Sequence, residues 1–475
     1  MKKHFFTLGA FLFCITGYAQ YDISLNVPQY DTGKVFLTYH LGKSLNIADS
    51  GFINKGKVQF KGANTLPGGI YAIVFPGKRL SSDFLIDKSK KISLTADDTL
   101  KIYKMKIIGE PANDLFEQYQ TFISEKGPLV QRARQAYTSA KSAEDSSKYE
   151  AEFKKANQEI IDFRNNLIDK NPQSLMAALL LAMKEPPYPD KAPVTHQDSV
   201  DNYQYYKSHY WDGISFLDDR ILRTPFFIPK LERYYRDVMP QASDSLIKDI
   251  DYKLLLARNA PELYKYMLNW LTDEYINPTY MGQDAVFVHL FNKYHSKGLT
   301  PWLNEKQMKT ISDRAYMQMA NLIGEQAAPL EMLDSTGKLS PLYNVKADYT
   351  IVIFWDPNCG HCKKELPRID SIYQAEWKSK NLKIYAVLTE NEHTKEWVNY
   401  IKEHHLGDWI HVYQTEAMAK EDEKLNRASY RQLYDVTQTP TIFLLDKNKR
   451  IIGKKLAFEQ INDLLKIKWD KDNKE

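Results

Sequence analysis

The spacing of hydrophobic and polar positions changes character twice along the 475 residues. From residue 21 to about residue 109, β-branched and aromatic residues alternate with polar ones or cluster in short runs, separated by Gly, Pro, Asn and Asp. This pattern is typical of strands. It predicts a small antiparallel sandwich or barrel, and KIYKMKIIG is its expected last strand.

From Asn113 to about Gly324, apolar residues recur at intervals of three and four, which predicts helices. The segment EPPYPDKAPV, residues 185–194, cannot continue a helix and is predicted to be a loop. The later helices are rich in aromatic residues, for example in PELYKYMLNWLTDEY. We interpret these aromatic residues as a helical core in preference to a cleft for a peptide or another apolar partner.

Strands and helices alternate from about Gln326 to the C-terminus. ADYTIVIFW and NLKIYAVLT are continuously apolar, as strands buried in a central sheet are. Helices are predicted to begin at Cys359 and to cover HTKEWVNYIKEHH, EKLNRASYRQLY and EQINDLLKIKW, and the strands PTIFLLD and RIIGKKLA precede the last of them. This order predicts a layered α/β sheet.

The first residues have the pattern of a secretory signal peptide. Two lysines precede an apolar run from about Phe5 to Ile15, which is too short to span a bilayer. Small residues before Gln20 fit a cleavage point, so the mature chain is expected to begin at Gln20. We expect it to be exported to the periplasm or envelope of a Gram-negative bacterium. A lipid attached at Cys14 is the alternative, which the bulky residue before it disfavours.

The chain is therefore predicted to be multidomain, with an N-terminal all-β sandwich or barrel, an α-helical middle region and a C-terminal α/β domain. The predicted parts are a signal peptide over residues 1–19, a β-rich domain over 20–110, a helical domain over 111–325 and the α/β domain over 326–475.

Charge and hydropathy exclude several classes of partner. The chain has 64 basic and 60 acidic residues, a net charge of +4 that falls by two when the leader is removed. This balance argues against nucleic acid or an anionic surface as the main partner. After the leader, no stretch reaches the roughly 18 apolar residues that a membrane span requires.

Cysteine is scarce, and only Cys359 and Cys362 lie outside the leader. A pair three positions apart closes too small a loop to constrain the unfolded chain much. A C-x-x-C motif after a buried strand and at the start of a helix is instead typical of a redox pair. Free N–H groups and the helix dipole would lower the pKa of Cys359, whose thiolate attacks a disulfide, and Cys362 would resolve the mixed disulfide. His361, if protonated, would stabilise that thiolate further.

With these motifs, residues 327 to about 470 resemble the thioredoxin-fold thiol–disulfide oxidoreductases of the TlpA/ResA type. The residues that match include Phe354, Trp355, the two cysteines, Pro367, and Thr439-Pro440, which matches the cis-proline facing the cysteines in this fold. The resemblance implies a substrate-binding surface, which consists of Trp355, Gly360, His361, Thr439 and Pro440. It also implies that Glu365 handles protons. The N-terminal region resembles the DUF4369 domain of Bacteroidetes envelope proteins, which names no activity.

The sequence departs from this family at two places. Ile353 stands where thioredoxin carries a buried acid, and we hypothesise that Glu365 replaces it by exchanging the proton of Cys362. The alternative for Glu365 is a first-turn carboxylate that binds helix N–H groups. The Gly-His dipeptide resembles that of protein disulfide isomerase, so the direction of electron flow stays open. Asp356 is interpreted as a turn residue in preference to a group that opposes the thiolate.

Other chemistries fit less well. Cys359, His361 and Cys362 could bind a metal, but a structural zinc site requires four ligands. A peroxiredoxin motif would need Pro and Thr or Ser where Val352 and Asp356 stand, and haem attachment would need His at position 363.

The non-enzymatic alternative is a partner-binding envelope protein with an accessory redox or metal-binding domain. We expect no organic cofactor, protein thiols or disulfides as substrates and, if the protein is a reductant, a membrane-bound thiol electron donor.

Overall fold

The structure is a computed structural model, and it describes residues 20–28, 30–96, 105–189 and 192–472. The predicted signal peptide, Cys14 and the first half of KIYKMKIIG lie outside the described residues. The chain divides into two compact units. Unit 1 contains the residues up to Met239 together with Lys253–Tyr264, and unit 2 contains Pro240–Tyr252 and the residues from Lys265 onward.

Within the described residues, the N-terminal part of unit 1 is one nine-stranded sheet. Its strands are β1 Tyr21–Asn26, β2 Thr32–Leu41, β3 Ser44–Asn54, β4 Lys57–Gly62, β5 Gly69–Phe75, β6 Arg79–Leu80, β7 Phe84–Ile86, β8 Lys91–Thr95 and β9 Lys106–Ile108. The order is β6-β5-β2-β3-β4-β1-β8-β9, and β7 also pairs with β5. The predicted all-β character is confirmed. The parallel pairing of β1 with β8 was not predicted, because it joins strands that are distant in the sequence.

The middle region is helical, as the sequence predicts. Its helices are α1 Ala112–Thr138, α2 Ala143–Lys170, α3 Leu175–Ala182, α4 His196–Ser208, α5 Phe227–Arg233, α6 Ser243–Ala257, α7 Pro261–Ile276, α8 Asp284–Leu290 and α9 Glu305–Met319. Helices α8 and α9 belong to unit 2, whereas α6 and α7 contribute residues to both units. The compact unit that holds the C-terminal sheet therefore extends beyond the predicted domain 326–475.

Unit 2 contains a six-stranded sheet in the order β10-β13-β12-β11-β14-β15. The strands are β10 Leu333–Asp334, β11 Tyr349–Trp355, β12 Leu382–Leu388, β13 Ile410–Tyr413, β14 Thr441–Leu445 and β15 Ile451–Lys454. Strands β11, β12 and β13 are parallel, whereas β14 is antiparallel to both β11 and β15. This arrangement is the thioredoxin-like α/β sheet that the alternation of strands and helices predicts.

The remaining helices of unit 2 are α10 Gly360–Ile372, α11 Thr394–Glu403, α12 Glu416–Lys424, α13 Tyr430–Leu433 and α14 Phe458–Asp472. The single helix predicted over EKLNRASYRQLY is wrong, because two helices meet within it. Asn426 has a left-handed backbone with φ of 52°, which ends the first helix. Ser429 then caps α13 through a capping box with Gln432.

Strand β11 is apolar throughout because both faces of the sheet are covered. Ile351, Ile353 and Trp355 belong to one buried cluster, which also contains Cys362. Val352 and Phe354 belong to a second cluster on the other face. Successive side chains of a strand point to opposite faces, so β11 is completely buried and holds the segment after Trp355 in a fixed position.

Candidate redox site

A turn connects β11 to α10 and fixes the position of the first cysteine. Oδ1 of Asp356 accepts a hydrogen bond from the backbone N–H of Asn358 at 2.7 Å, and the Asp356 carbonyl accepts one from Cys359 N–H at 3.1 Å. Asp356 is buried and acts as a turn residue, in agreement with the favoured interpretation. Cys359 is the N-cap of α10, which confirms that the helix begins at this cysteine.

The sulfur of Cys359 is partly exposed and lies at the end of the helix where backbone N–H groups are free. It accepts a hydrogen bond from Cys362 N–H at 3.4 Å, and as a thiol it donates to the Thr439 carbonyl at 3.2 Å. Partial burial acts to raise the pKa of Cys359, but hydrogen bonds from the Thr439 side chain and from the backbone of Cys362 and His361 outweigh it. The net pKa is therefore lowered.

The second sulfur is in the opposite situation. Cys362 is 1% exposed and packs in the apolar cluster beneath the sheet. Burial raises its pKa to about 12, although a hydrogen bond from the backbone of Asp356 acts in the other direction. Both cysteines are free thiols. At neutral pH the pair therefore contains one accessible sulfur with an enhanced thiolate fraction and one covered sulfur that stays protonated.

A groove of about 400 Å³ opens beside the cysteines, and we call it the redox groove. It is lined by His361, Glu365, residues 437–442 and residues 455–459. The Thr439–Pro440 peptide bond is cis, as predicted. Thr439 and Pro440 are half-buried in this wall, whereas Gly360 and His361 are exposed at the start of α10. Four of the five predicted substrate-binding residues therefore lie around the exposed sulfur.

The fifth, Trp355, does not reach this surface. Its side chain is fully buried and its ring packs against Tyr400, with the centroids 5.4 Å apart. The prediction that Trp355 contacts substrate is therefore wrong for this structure. Both faces of β11 are buried, and Trp355 packs in the cluster that contains Cys362, where it supports the cysteine helix.

Glu365 lies in the second turn of α10, since the first turn contains no acidic residue. The alternative role as a first-turn carboxylate is therefore wrong. Its carboxylate accepts from Arg368 at 3.3 Å, and Arg368 also donates to Glu459 at 2.5 Å. Glu365 and Glu459 both line the redox groove. The proton-handling role that we predicted for Glu365 stays a prediction.

Sequence reasoning missed two residues near the turn. Nδ1 of His393 lies 2.6 Å from Oδ2 of Asp356. Tyr400 is 8% exposed and packs on Trp355 in the cluster that holds Cys362. Both residues are far from the cysteines in the sequence, and no local pattern marks them. Ile353 is fully buried, so this position supplies no acid.

Two further structural findings concern the described ranges alone. No group of three or more His, Cys, Asp or Glu side chains there is arranged to hold a metal ion. Among the same residues, no helix is both long and apolar enough to cross a bilayer.

Comparison with known proteins agrees with this geometry. Residues 323–454 match the AhpC/TSA family, and residues 21–116 match DUF4369, a domain of unknown function. The thiol-disulfide oxidoreductase ResA of Bacillus cereus is 27% identical over 155 residues, which cover 33% of this chain and 79% of ResA. ResA of Bacillus thuringiensis is 26% identical over 147 residues, which cover 30% of this chain and 77% of that protein.

Two solved structures are also similar. A domain of a possible thiol-disulfide isomerase from Cytophaga hutchinsonii is 34% identical, covering 32% of this chain and 96% of that domain, with a TM-score of 0.27. A thioredoxin-like protein from Bacteroides caccae is 20% identical, covering 60% of this chain and 99% of that protein, with a TM-score of 0.45. From the family matches and the ResA relatives, we conclude that the chain is a thiol–disulfide oxidoreductase similar to ResA, with an AhpC/TSA-type thioredoxin-like domain behind an N-terminal DUF4369 domain.

Proposed function

We propose that the Cys359–Cys362 pair of the CGHC motif exchanges disulfides with protein thiols, with Cys359 as the attacking sulfur and Cys362 as the resolving sulfur. The difference between the two sulfurs carries this assignment. Cys359 is accessible and has a lowered pKa, whereas Cys362 is buried and has a raised one. Only a thiolate attacks a disulfide, so the order of the two steps follows from their environments.

In the reductive direction, the Cys359 thiolate attacks one sulfur of a substrate disulfide. A Cys359–substrate S–S bond forms, and the other substrate sulfur leaves as a thiolate and takes up a proton. Cys362 then loses its proton and attacks Cys359, which releases the second substrate thiolate. The substrate gains two electrons and the protein becomes the Cys359–Cys362 disulfide. Oxidation of a dithiol substrate is the same sequence in reverse.

The redox groove is the proposed binding surface for the substrate cysteine. Thr439 and Pro440 form one wall beside the Cys359 sulfur, and Gly360 and His361 form the exposed start of the helix. The Thr439 carbonyl, which accepts from the Cys359 thiol in the free protein, becomes available to a substrate N–H when Cys359 is a thiolate or a mixed disulfide.

Glu365 is the proposed proton carrier for the resolving step. Cys362 must lose a proton although its pKa is about 12, so a base near the groove accelerates its attack. Ile353 cannot provide that base. Glu365 lies three residues after Cys362 on the same helix and lines the redox groove, which supports this assignment.

The proposal requires no organic cofactor, because the dithiol stores the two electrons. The leader-like first residues support export to the periplasm or envelope of a Gram-negative bacterium. If the pair is reducing, a membrane-bound thiol protein is the expected electron donor. The equilibrium potential of the Cys359–Cys362 pair, compared with that of its compartment, decides the direction of exchange.

The test uses the full chain and a disulfide-bonded protein substrate with dithiothreitol as the electron source. We expect Cys359→Ser to abolish catalysed reduction and to form no adduct. When Cys362→Ser is mixed with the substrate in the absence of dithiothreitol, we expect it to accumulate a covalent substrate adduct at Cys359. Mass spectrometry detects this adduct, and dithiothreitol added afterwards releases it. Full activity in Cys359→Ser, or an adduct on Cys362 in place of Cys359, would overturn the assignment.

A further inference from the structure

A second groove lies in the same compact unit, and we call it the flanking groove. Its cavity is about 500 Å³, within the range of roughly 300–1,000 Å³ that is usual for ligand sites. Residues 277–282 after α7 form one side of it, and Ile467 and its neighbours on α14 form another. The middle region thus contributes residues to a surface of the thioredoxin-like unit.

The flanking groove adjoins the redox groove, because Lys455 and Leu456 line both. These residues directly follow β15. The backbone N–H of Leu456 donates to the carbonyl of Ile442 at 3.2 Å, and Ile442 follows Pro440 by two residues. A polypeptide that lies across Pro440 can therefore run directly into the flanking groove.

The edge of the flanking groove is apolar and accessible. Tyr280, Met281 and Ile467 are 54%, 50% and 66% exposed, respectively. Single exposed apolar side chains are common on protein surfaces, but several of them around one cavity indicate a binding site. This edge favours an occupant with large apolar side chains.

Five of the six charged residues that line the flanking groove are paired with one another. Asp435 accepts from Arg314 at 2.6 Å and from Lys455 at 2.5 Å, and Lys454 is paired with Asp284. These pairs reduce the attraction of the wall for a free ion, since each of the five charges already has a partner. The sixth charged residue, Asp463 on α14, is exposed to solvent. The paired charges therefore argue for an occupant without a net charge at this place.

Two acceptors in the wall have no hydrogen-bond partner within the described part of the chain: Oδ1 of Asp284 and Oε1 of Gln318. Both side chains are almost completely buried and belong to residues that line the flanking groove. A buried acceptor without a donor is costly. Both acceptors are covered in the free protein, so an N–H group of an occupant such as a peptide reaches them only after a shift of the wall.

We propose that the flanking groove binds an extended apolar stretch of the polypeptide whose disulfide is exchanged at Cys359. This inference rests on the proposed function and adds a substrate class to it, namely unfolded or partly folded chains with large apolar residues near the reactive cysteine. A folded protein keeps such a stretch in its core, so the flanking groove selects chains that are not yet folded. Its position beside the redox groove favours a polypeptide over a small apolar molecule, because a polypeptide can occupy both grooves at once.

The test compares three disulfide substrates on the full-length protein: a peptide with Leu and Phe around its cysteine, the same peptide with Ser and Asn, and hydroxyethyl disulfide. The variants are Ile467→Glu and Met281→Ser, both at exposed positions. Leu339→Glu is the matched control, because Leu339 is 53% exposed in the same unit and lines neither groove.

We expect Ile467→Glu to lower kcat/KM for the apolar peptide about tenfold, mainly through KM, since it removes the burial of a large apolar side chain. The polar peptide, hydroxyethyl disulfide and the Leu339→Glu protein should be unaffected. Equal rates for the apolar peptide in Ile467→Glu and in the unmodified protein would overturn the inference, as would an equal loss on all three substrates. If the unmodified protein reduces none of the three, the proposed function itself fails.

Discussion

His393 Nδ1 lies 2.6 Å from Asp356 Oδ2, and this contact ties the turn before Cys359 to the segment that follows β12. The hydrogen bond with Asp356 raises the pKa of His393. Because the folded pKa is above the unfolded one, the contribution of the pair is fully present below the usual histidine pKa and is lost as the pH rises through the raised value. The Asp356–His393 pair thus makes the turn before Cys359 sensitive to pH values above the usual pKa of histidine.

Removing His393 should lower the reactivity of Cys359 in mildly acidic solution. In His393→Ala the carboxylate of Asp356 loses its neutralising partner, so the nearby thiolate becomes less favourable. We expect the alkylation rate of Cys359 at pH 6 to fall roughly twofold, and the difference to shrink above the raised His393 pKa. Lys395→Ala, which removes an exposed cation two residues away, is the control. An unchanged rate at pH 6 would contradict the role of this pair.

The Thr439 hydroxyl is expected to tune the attacking thiol. Its hydrogen bond is the largest of the effects that lower the pKa of Cys359. Thr439→Val keeps the shape and removes the donor, so the pKa of Cys359 should rise towards that of an ordinary thiol. The pH profile of iodoacetamide alkylation measures this shift directly. Thr437→Val, at an exposed position in the same groove, is the control and should leave the profile unchanged. If the profile of Thr439→Val is also unshifted, the Thr439 hydroxyl does not lower the pKa of Cys359.

Glu365 and Glu459 provide a matched pair for the proton-transfer proposal. Both bind Arg368, so Glu365→Gln and Glu459→Gln each disturb the same ion pair. Only Glu365→Gln removes the proposed base. We expect it to lengthen the lifetime of the mixed disulfide at least roughly tenfold in single-turnover experiments, whereas Glu459→Gln stays close to the unmodified protein. Similar lifetimes in the two variants would assign Glu365 a structural role.

The buried pair of Lys454 and Asp284 should be important for the stability of unit 2. Lys454 and Asp284 are 7% and 3% exposed, and burial lowers the pKa of the lysine. Asp284→Ala would leave a buried cation without its counter-charge and should cost about 3–5 kcal/mol of the free energy of unfolding. Urea denaturation of the full chain measures this loss.

The double variant Asp284→Leu with Lys454→Met is the control for that experiment. It removes both charges and keeps apolar volume, so it should be clearly more stable than Asp284→Ala. If the two proteins unfold at the same urea concentration, the loss is due to packing and the counter-charge contributes little.

The sequence alone predicts those features of the site whose residues lie close together in the chain. Cys359 at the start of a helix follows from the apolar run of β11, the turn after it and the C-x-x-C spacing, which all lie within residues 349–362. The cis bond at Pro440 followed from family resemblance. Its contact with Cys359, across 80 positions of the chain, could be predicted only because that family's fold was recognised.

Other features required the folded structure. Asp356 meets His393 across 37 positions, and Lys454 meets Asp284 across 170 positions. Neither contact leaves a periodic trace in the sequence. The motif predicts that Trp355 lies at the surface beside Cys359, whereas the cover on both faces of β11 keeps its side chain buried. A residue next to an active cysteine in sequence can therefore lie behind it in space.

The partners of Lys454 have a practical consequence for dissecting this protein. Its ammonium group donates to the side chain and carbonyl of Asn321 at 2.8 and 2.9 Å and is paired with Asp284. A fragment begun at Gln326 would contain the lysine and none of these acceptors, and it would also lack residues 277–282. Such a fragment would retain the cysteines, but the end of β15 would carry a lysine without its hydrogen-bond acceptors. Kinetics measured on it would describe a truncated enzyme in place of the natural one.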